Sequence, residues 1–172
     1  KNAKFICHKC LSETTAAERC PYCKGWKLQT LGIGTQKIEE EMEKEFPEIK
    51  LFRMDSDTVK TQKQGDELAK KFRDTPGSIL IGTEILFSYI SRPADITAAV
   101  SVDGLFALPD FRINEKIFHI LLKLRSLAKK TFLIQTRLPD GGKPASSAGG
   151  HPLFINAIKG NISGFYREEL AA

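Results

Sequence analysis

Residues 50–57 read Lys-Leu-Phe-Arg-Met-Asp-Ser-Asp, and residues 79–83 read Ile-Leu-Ile-Gly-Thr. The first is a short apolar strand, Lys50 to Met54, that stops at Asp55-Ser56-Asp57. The second is a buried strand that runs into Gly82-Thr83. Between them Leu68, Ala69 and Phe72 fall at helical spacing, and Pro76-Gly77 closes that helix. A strand, a helix and a second strand within roughly 30 residues make a βαβ unit, so the two strands lie parallel. Function in such sheets collects at the carboxyl ends of the strands, here at Asp55 and at Gly82-Thr83.

The same alternation continues on both sides. Upstream, Thr35 is the expected cap of a helix whose residues Ile38, Met42 and Phe46 form an apolar stripe, and Pro47 follows its stop. Residues 39–48 hold six glutamates and one lysine, a solvated acidic face. Downstream, residues 98–102 read as a strand ending at Asp103-Gly104. A long helix is expected over residues 111–128, with Ile113, Ile117, Leu121, Leu124 and Ala128 on one face. Phe118, Leu122 and Leu127 widen that face, which predicts a heavily buried helix around His119. Residues 131–136 read as the last strand, residues 139–150 as a flexible loop, and residues 152–159 and 162–172 as two further helices. The expected architecture of residues 31–172 is α/β, a mostly parallel sheet flanked by helices with right-handed crossovers.

Composition excludes several classes. Of 172 residues, 41% are apolar and 27% charged, enough for a core and too apolar for disorder. A mean hydropathy of −0.23 and the lack of any apolar run near ~18–20 residues speak against a membrane span. Net charge is +5, which alone is weak evidence for nucleic acid. Its distribution is more telling: residues 1–30 hold six Lys/Arg, and residues 123–143 hold six more, Lys123, Arg125, Lys129, Lys130, Arg137 and Lys143. A polyanion would therefore sit on one side of the molecule.

Residues 1–30 carry all four cysteines and form a separate small module in this reading. Cys7-His8-Lys9-Cys10 and Cys20-Pro21-Tyr22-Cys23 are two Cys-x-x-Cys turns, and two such turns supply four thiolates to one tetrahedral Zn²⁺. A redox pair at Cys20 and Cys23 is the rival reading, but that chemistry needs a strand before the pair and a helix start at it. Free structural thiols are the third. Sparse cysteines in this pattern suit a reducing cytosol rather than a disulfide scaffold. Phosphate-loop, nucleophile-elbow, zinc-protease and dinucleotide motifs are all absent from the sequence.

Taken in order, these strings resemble a known family. The Cys-x-x-Cys pairs are followed by Gly34-Thr35 and the acidic helix, then Arg53-Met54-Asp55-Ser56-Asp57-Thr58 and Ile81-Gly82-Thr83-Glu84. Leu108-Pro109-Asp110-Phe111-Arg112 with Glu115 and Phe118, then Ile134-Gln135-Thr136, and Phe165-Tyr166-Arg167-Glu168-Glu169-Leu170 complete the set. The chain is similar, over nearly all its length, to the C-terminal half of the PriA primosomal replication-restart helicases.

The resemblance implies a RecA-like second lobe of a superfamily 2 ATP-dependent 3′-to-5′ DNA helicase with a zinc-binding region attached, a cytoplasmic protein working at replication forks. On it the chain is a fragment, inactive alone, because ATP and Mg²⁺ bind only together with a first lobe that carries the phosphate loop. Its implied partners are forked or single-stranded DNA, other primosome proteins and single-stranded-DNA-binding protein. Asp55, Gly82, Thr83, Arg125, Lys129 and Lys130 become the candidate nucleotide- and DNA-binding residues, and Cys7, Cys10, Cys20 and Cys23 the candidate zinc ligands. Two departures stand out. After Thr83 the family's Lys-Gly-x-Asp-Phe-Pro-like segment is replaced by Phe87-Ser88-Tyr89-Ile90-Ser91-Arg92-Pro93-Ala94-Asp95. The family's γ-phosphate arginine falls on Leu127, which leaves Arg125 as the candidate substitute finger. A degenerate lobe that binds DNA or primosome partners without hydrolysis is therefore the alternative. The family holds two ions with four Cys-x-x-Cys pairs, so the four cysteines here close either one substitute site or two half-sites.

The spacing predicts about one zinc per chain on Cys7, Cys10, Cys20 and Cys23, with Zn–S near ~2.3 Å. Elemental analysis finding no metal, with all four thiols freely reactive in the native protein, would remove the site.

Overall fold

The computed structural model describes residues 4–6, 13–15, 34–107, 110–136 and 151–171. The chain divides into two compact units, Lys1–Leu31 and Gly32–Ala172. In the first, β1 (Lys4–Ile6) and β2 (Glu13–Thr15) pair antiparallel, Phe5 opposite Thr14. The four cysteines and the 139–150 loop lie outside the described residues.

The second unit is α/β, with short parallel strand pairs and helices, an arrangement compatible with a RecA-like lobe. Helix α1 (Thr35–Glu45) precedes β3 (Leu51–Met54), and α2 (Gln62–Arg73) crosses to β4 (Ile79–Gly82), which lies parallel to β3 with Met54 opposite Gly82. The βαβ reading of residues 50–83 is what forms. Alternation explains it: Phe52 and Met54 are buried while Leu51 and Arg53 are half-buried, so helices cover both faces. Phe52 meets Phe72 of α2 edge-on at 6.1 Å. Helix α2 starts where the capping rules place a start: Thr61 accepts from the Gln64 amide, and the Gln64 side chain accepts from the Thr61 amide.

A 3-10 helix, Glu84–Ser88, follows β4 and leads to β5 (Ala94–Ala99); a second, Val102–Ala107, leads towards α3 (Ile113–Ser126) and β6 (Ala128–Ile134). Strands β5 and β6 pair in parallel, with a register shift between Ala94 and Ile96. Helices α4 (Pro152–Lys159) and α5 (Ile162–Glu169) close the unit, joined at Gly160 in the left-handed conformation, φ +67°.

Several expectations are corrected. In place of one mostly parallel sheet there are, among the described residues, two separate parallel pairs, β3-β4 and β5-β6. The helix expected over 111–128 runs from Ile113 to Ser126, because Asp110 organises a turn before it and Leu127 ends it directly into β6. Strands expected at 98–102 and 131–136 lie earlier, at 94–99 and 128–134. His119 is exposed, not buried, since the buried face of α3 is Ile117, Phe118 and Leu121.

Among the described residues two clusters form the interior. One gathers Met54, Val59 and Ala69 with Leu68, Leu80, Leu86, Tyr89 and Ile90 around it. The other packs α3 against α4 and α5 through Ile117, Phe118, Leu121, Phe154, Ala157 and Phe165. Phe118 and Phe165 stack face to face, centroids 4.0 Å apart and 8° between planes, and both are inaccessible or nearly so. Each such ring stabilises the fold by roughly 1.5–3 kcal/mol through burial.

Gly65 on α2 lies beneath the Tyr89 ring, where an added Cβ would stand 2.2 Å from two ring carbons. Gly65→Ala should therefore lower stability by about 1–3 kcal/mol, although alanine is the better helix former. In a Tyr89→Ala background the same change should be neutral or stabilising. Denaturant unfolding of the four proteins checks the cycle, and equal penalties in both backgrounds would show that the ring is not the obstacle.

Candidate functional site

The carboxyl ends of β3 and β4 lie side by side, because Met54 is opposite Gly82 and the Thr83 amide donates to the Met54 carbonyl at 3.2 Å. That close approach needs glycine at 82: a Cβ there would sit 2.6 Å from the Met54 carbonyl oxygen, a backbone atom that cannot step aside. Thr83 is exposed at the start of the 3-10 helix, and its side chain makes no capping hydrogen bond.

Asp55 is 5% exposed, and its carboxylate is the hub of the edge. Oδ1 accepts from the amides of Asp57 and Thr58, both at 2.9 Å, and from the Thr58 hydroxyl at 3.1 Å. Oδ2 accepts from the Thr35 hydroxyl at 2.5 Å. The cap position of α1 is taken by Gly34 rather than Thr35, whose hydroxyl is spent on this carboxylate instead. A hydroxyl that donates to a buried carboxylate makes a charge-assisted bond, stronger than one between neutral groups. Burial pushes the Asp55 carboxyl up, but the donors from Thr35, Thr58 and Asp57 outweigh it and hold the pKa below the ordinary 3.8.

Arg53 adds a second tie. Its Nη1 donates to Glu39 of α1 at 2.8 Å. Its Nε lies 3.2 Å from Asp55 Oδ2, yet off line for a hydrogen bond, and is a buried nitrogen without a hydrogen-bond partner. The contact is thus electrostatic, a guanidinium between two carboxylates.

The other candidate residues lie elsewhere. Arg125, near the end of α3, donates through Nε to the Ile158 carbonyl at 2.8 Å, satisfying the end of α4. Lys129 and Lys130 are on β6, not on a helix, at its amino end; Lys130 pairs with Asp95 at 2.9 Å, both largely exposed. Asp55, Gly82 and Thr83 are brought together, whereas Arg125, Lys129 and Lys130 are grouped near the junction of α3 and β6. Arg53 opens the Arg53–Thr58 string already quoted, whereas Glu39 joins the site without a motif to mark it; the available signal for Glu39 is its place on an acidic helix that precedes a strand carrying an arginine. No group of three or more His, Cys, Asp or Glu side chains suited to a metal occurs among the described residues.

An α/β unit with an ordered carboxylate turn and a Gly-Thr step at adjoining strand ends has the organisation of a strand-end site in a parallel α/β protein. Comparison with known proteins gives the particular kin. The chain is 33% identical to Replication restart protein PriA of Chlamydia pneumoniae over 96% of its own length and 22% of that protein. It is 31% identical to the PriA of Borreliella burgdorferi over 99% of its length and 25% of that protein, and 31% identical to the PriA of Bacillus subtilis over 80% and 18%. The chain is PriA-like along nearly its whole length, and it spans about one fifth of the length of the curated relatives it matches. No family profile matches it.

Asp55→Asn keeps the shape and one acceptor but removes the charge, and should cost about 1.5–3 kcal/mol at neutral pH. Because the folded pKa lies below 3.8, the contribution is complete above that value and is lost as pH falls through the folded pKa. Unfolding curves of wild type and variant should accordingly converge in strong acid; a constant gap down to the lowest pH would mean that the charge is not the stabilising feature.

Proposed function

We propose that this chain is a RecA-like lobe of a PriA-like, superfamily 2, ATP-dependent 3′-to-5′ DNA helicase acting in replication restart and primosome assembly at forks. The observation that carries it is the strand-end edge, where Asp55 and Gly82-Thr83 stand together at positions that match the family's motifs. Thr83 offers an exposed hydroxyl beside a turn, which is suited to a phosphate oxygen. ATP and Mg²⁺ bind in this proposal only with a lobe that supplies a phosphate loop, since the sequence holds none. Zn²⁺ on Cys7, Cys10, Cys20 and Cys23 belongs to the same reading. Lys129 and Lys130 serve as further phosphate contacts, and forked or single-stranded DNA, primosome proteins and single-stranded-DNA-binding protein are the partners. No helix among the described residues is long and apolar enough to cross a membrane.

A second reading, a lobe that binds DNA or primosome proteins without hydrolysis, has its own support. Leu127 stands where the family has its γ-phosphate arginine, and the Nε of Arg125 is occupied by the Ile158 carbonyl. Past Thr83 the chain is held by packing: Leu86, Tyr89 and Ile90 pack on the first core cluster. An arginine finger contributes roughly 10³–10⁵ in rate in related hydrolases, so its loss is decisive unless replaced.

The 172-residue chain should bind forked DNA weakly, with a shallow salt slope and little sequence preference. Fluorescence anisotropy showing no binding even at low salt would end the motor reading and the DNA-binding form of the second, leaving only contacts to primosome proteins. Phosphate release with forked DNA, measured on the chain joined to a phosphate-loop lobe, separates them: several turnovers per second support the motor, and binding without release supports the second.

A further inference from the structure

The exposed face of α3 carries a row of Lys, Arg and His side chains beside an exposed aromatic ring. Arg112, Lys116, His119 and Lys123 are all exposed. Their spacing of four, three and four residues places them within about 60° of one another on a helix, along roughly 16 Å of its axis. Phe111 begins the row and is 91% exposed, a large apolar ring left in water. Its placement is organised: Asp110 Oδ1 accepts from the Arg112 amide at 2.9 Å, and the Asp110 carbonyl accepts from the Ile113 amide at 3.1 Å. That turn fixes Phe111 and Arg112 ahead of α3, with the guanidinium 5.2 Å from the ring centre. At the other end Lys123 lies 5.4 Å from the centre of the Phe87 ring, in the 3-10 helix that follows Thr83. Lys116 reaches Glu84 at 3.5 Å, an ion pair about half exposed on both sides and therefore worth little. Glu115 on the same helix is engaged by the Tyr166 hydroxyl of α5, and Glu169 of α5 accepts from Asn114, so of the carboxylates named here only Glu84 pairs with the row.

We infer that this face is a track for single-stranded nucleic acid, with Phe111 as a base-stacking platform and Arg112, Lys116 and Lys123 as phosphate contacts. A cationic groove with an aromatic plate is the chemistry that binds single strands regardless of sequence, because every base has a π face and every nucleotide a phosphate. Folding gives the ring no use among the described residues: it packs on neither core cluster, and the guanidinium beside it is its neighbour. The row also adjoins the segment after Gly82-Thr83, so the track leads to the strand-end edge. This inference rests on the DNA-binding reading above and specifies the surface and the strand state it uses.

The test is anisotropy of a labelled oligo-dT of about 20 nucleotides, and of a duplex of the same length, with the full 172-residue chain. Phe111→Ala should weaken dT binding about 5- to 150-fold, the range for removal of one stacking platform, and duplex binding less than about two-fold. Phe111→Trp should restore dT affinity. The triple change Arg112→Gln, Lys116→Gln, Lys123→Gln should lower the salt slope on dT by about two, close to 0.7 for each phosphate no longer neutralised. All these side chains are exposed, so unchanged thermal unfolding shows that weaker binding does not arise from a damaged fold. If wild type binds dT and both Phe111→Ala and the triple variant bind it equally well, the track is overturned while the DNA reading stands. If wild type binds no DNA at low salt, both fall.

Discussion

The buried carboxylate of Asp55 is the constraint on which the first half of the α/β unit depends. Helix α1 buries no residue completely, so apolar packing alone holds it weakly. Its position is set by two polar ties, Thr35 to Asp55 and Glu39 to Arg53, and both converge on the end of β3. The same carboxylate closes the turn at Asp57 and Thr58, and the Val59 amide donates to the Asp55 carbonyl at 2.9 Å, which draws Val59 into the core. One side chain thus joins a helix, a strand and a turn. A charge in such a place is stable only with its donors, so removing any of them leaves part of the cost of burying it uncompensated.

The second half is organised differently, by an apolar helix rather than a charge. Phe118, Ile117 and Leu121 of α3 have no accessible surface, and the α4-α5 hairpin folds over them. Polar links then fix the orientation: Asn156 donates to Glu168 at 2.8 Å and Tyr166 to Glu115 at 2.7 Å. Strings far apart in sequence, Glu115 with Phe118 and Phe165 with Tyr166, are brought together here. One face of α3 is consumed by this packing, which leaves its opposite face to the solvent and to whatever binds there.

What is legible in the sequence follows from which forces are local. The βαβ unit of residues 50–83 can be read because alternation, helical spacing and Pro76-Gly77 all act within a few residues. Gly82-Thr83 and Asp55 at neighbouring strand ends follow from parallel pairing. Thr35 has the residue type expected of a cap, but its hydroxyl donates to a carboxylate 20 residues away, a contact no local rule contains. His119 sits in an apolar stretch that suggests burial all round, yet Ile117, Phe118 and Leu121 account for the burial and leave His119 in water. The separation into two strand pairs is invisible, since strand composition says that a segment pairs but not with which neighbour. Arg125 shows the limit for site residues: its charge is legible, but its tie to the Ile158 carbonyl, 33 residues away, is not.

If the Asp55 carboxylate is the structural hub of the strand-end edge, the turn it closes must be as durable as the strand it follows. Amide hydrogen exchange in the native 172-residue chain tests this most directly, at the amides of Asp57 and Thr58 that donate to Oδ1. Both belong to a surface turn, where unbonded amides exchange freely. A hub at Asp55 predicts that they exchange slowly, opening together with the core amides of β3. Exchange at the rate of an unstructured peptide, with β3 still protected, would contradict it.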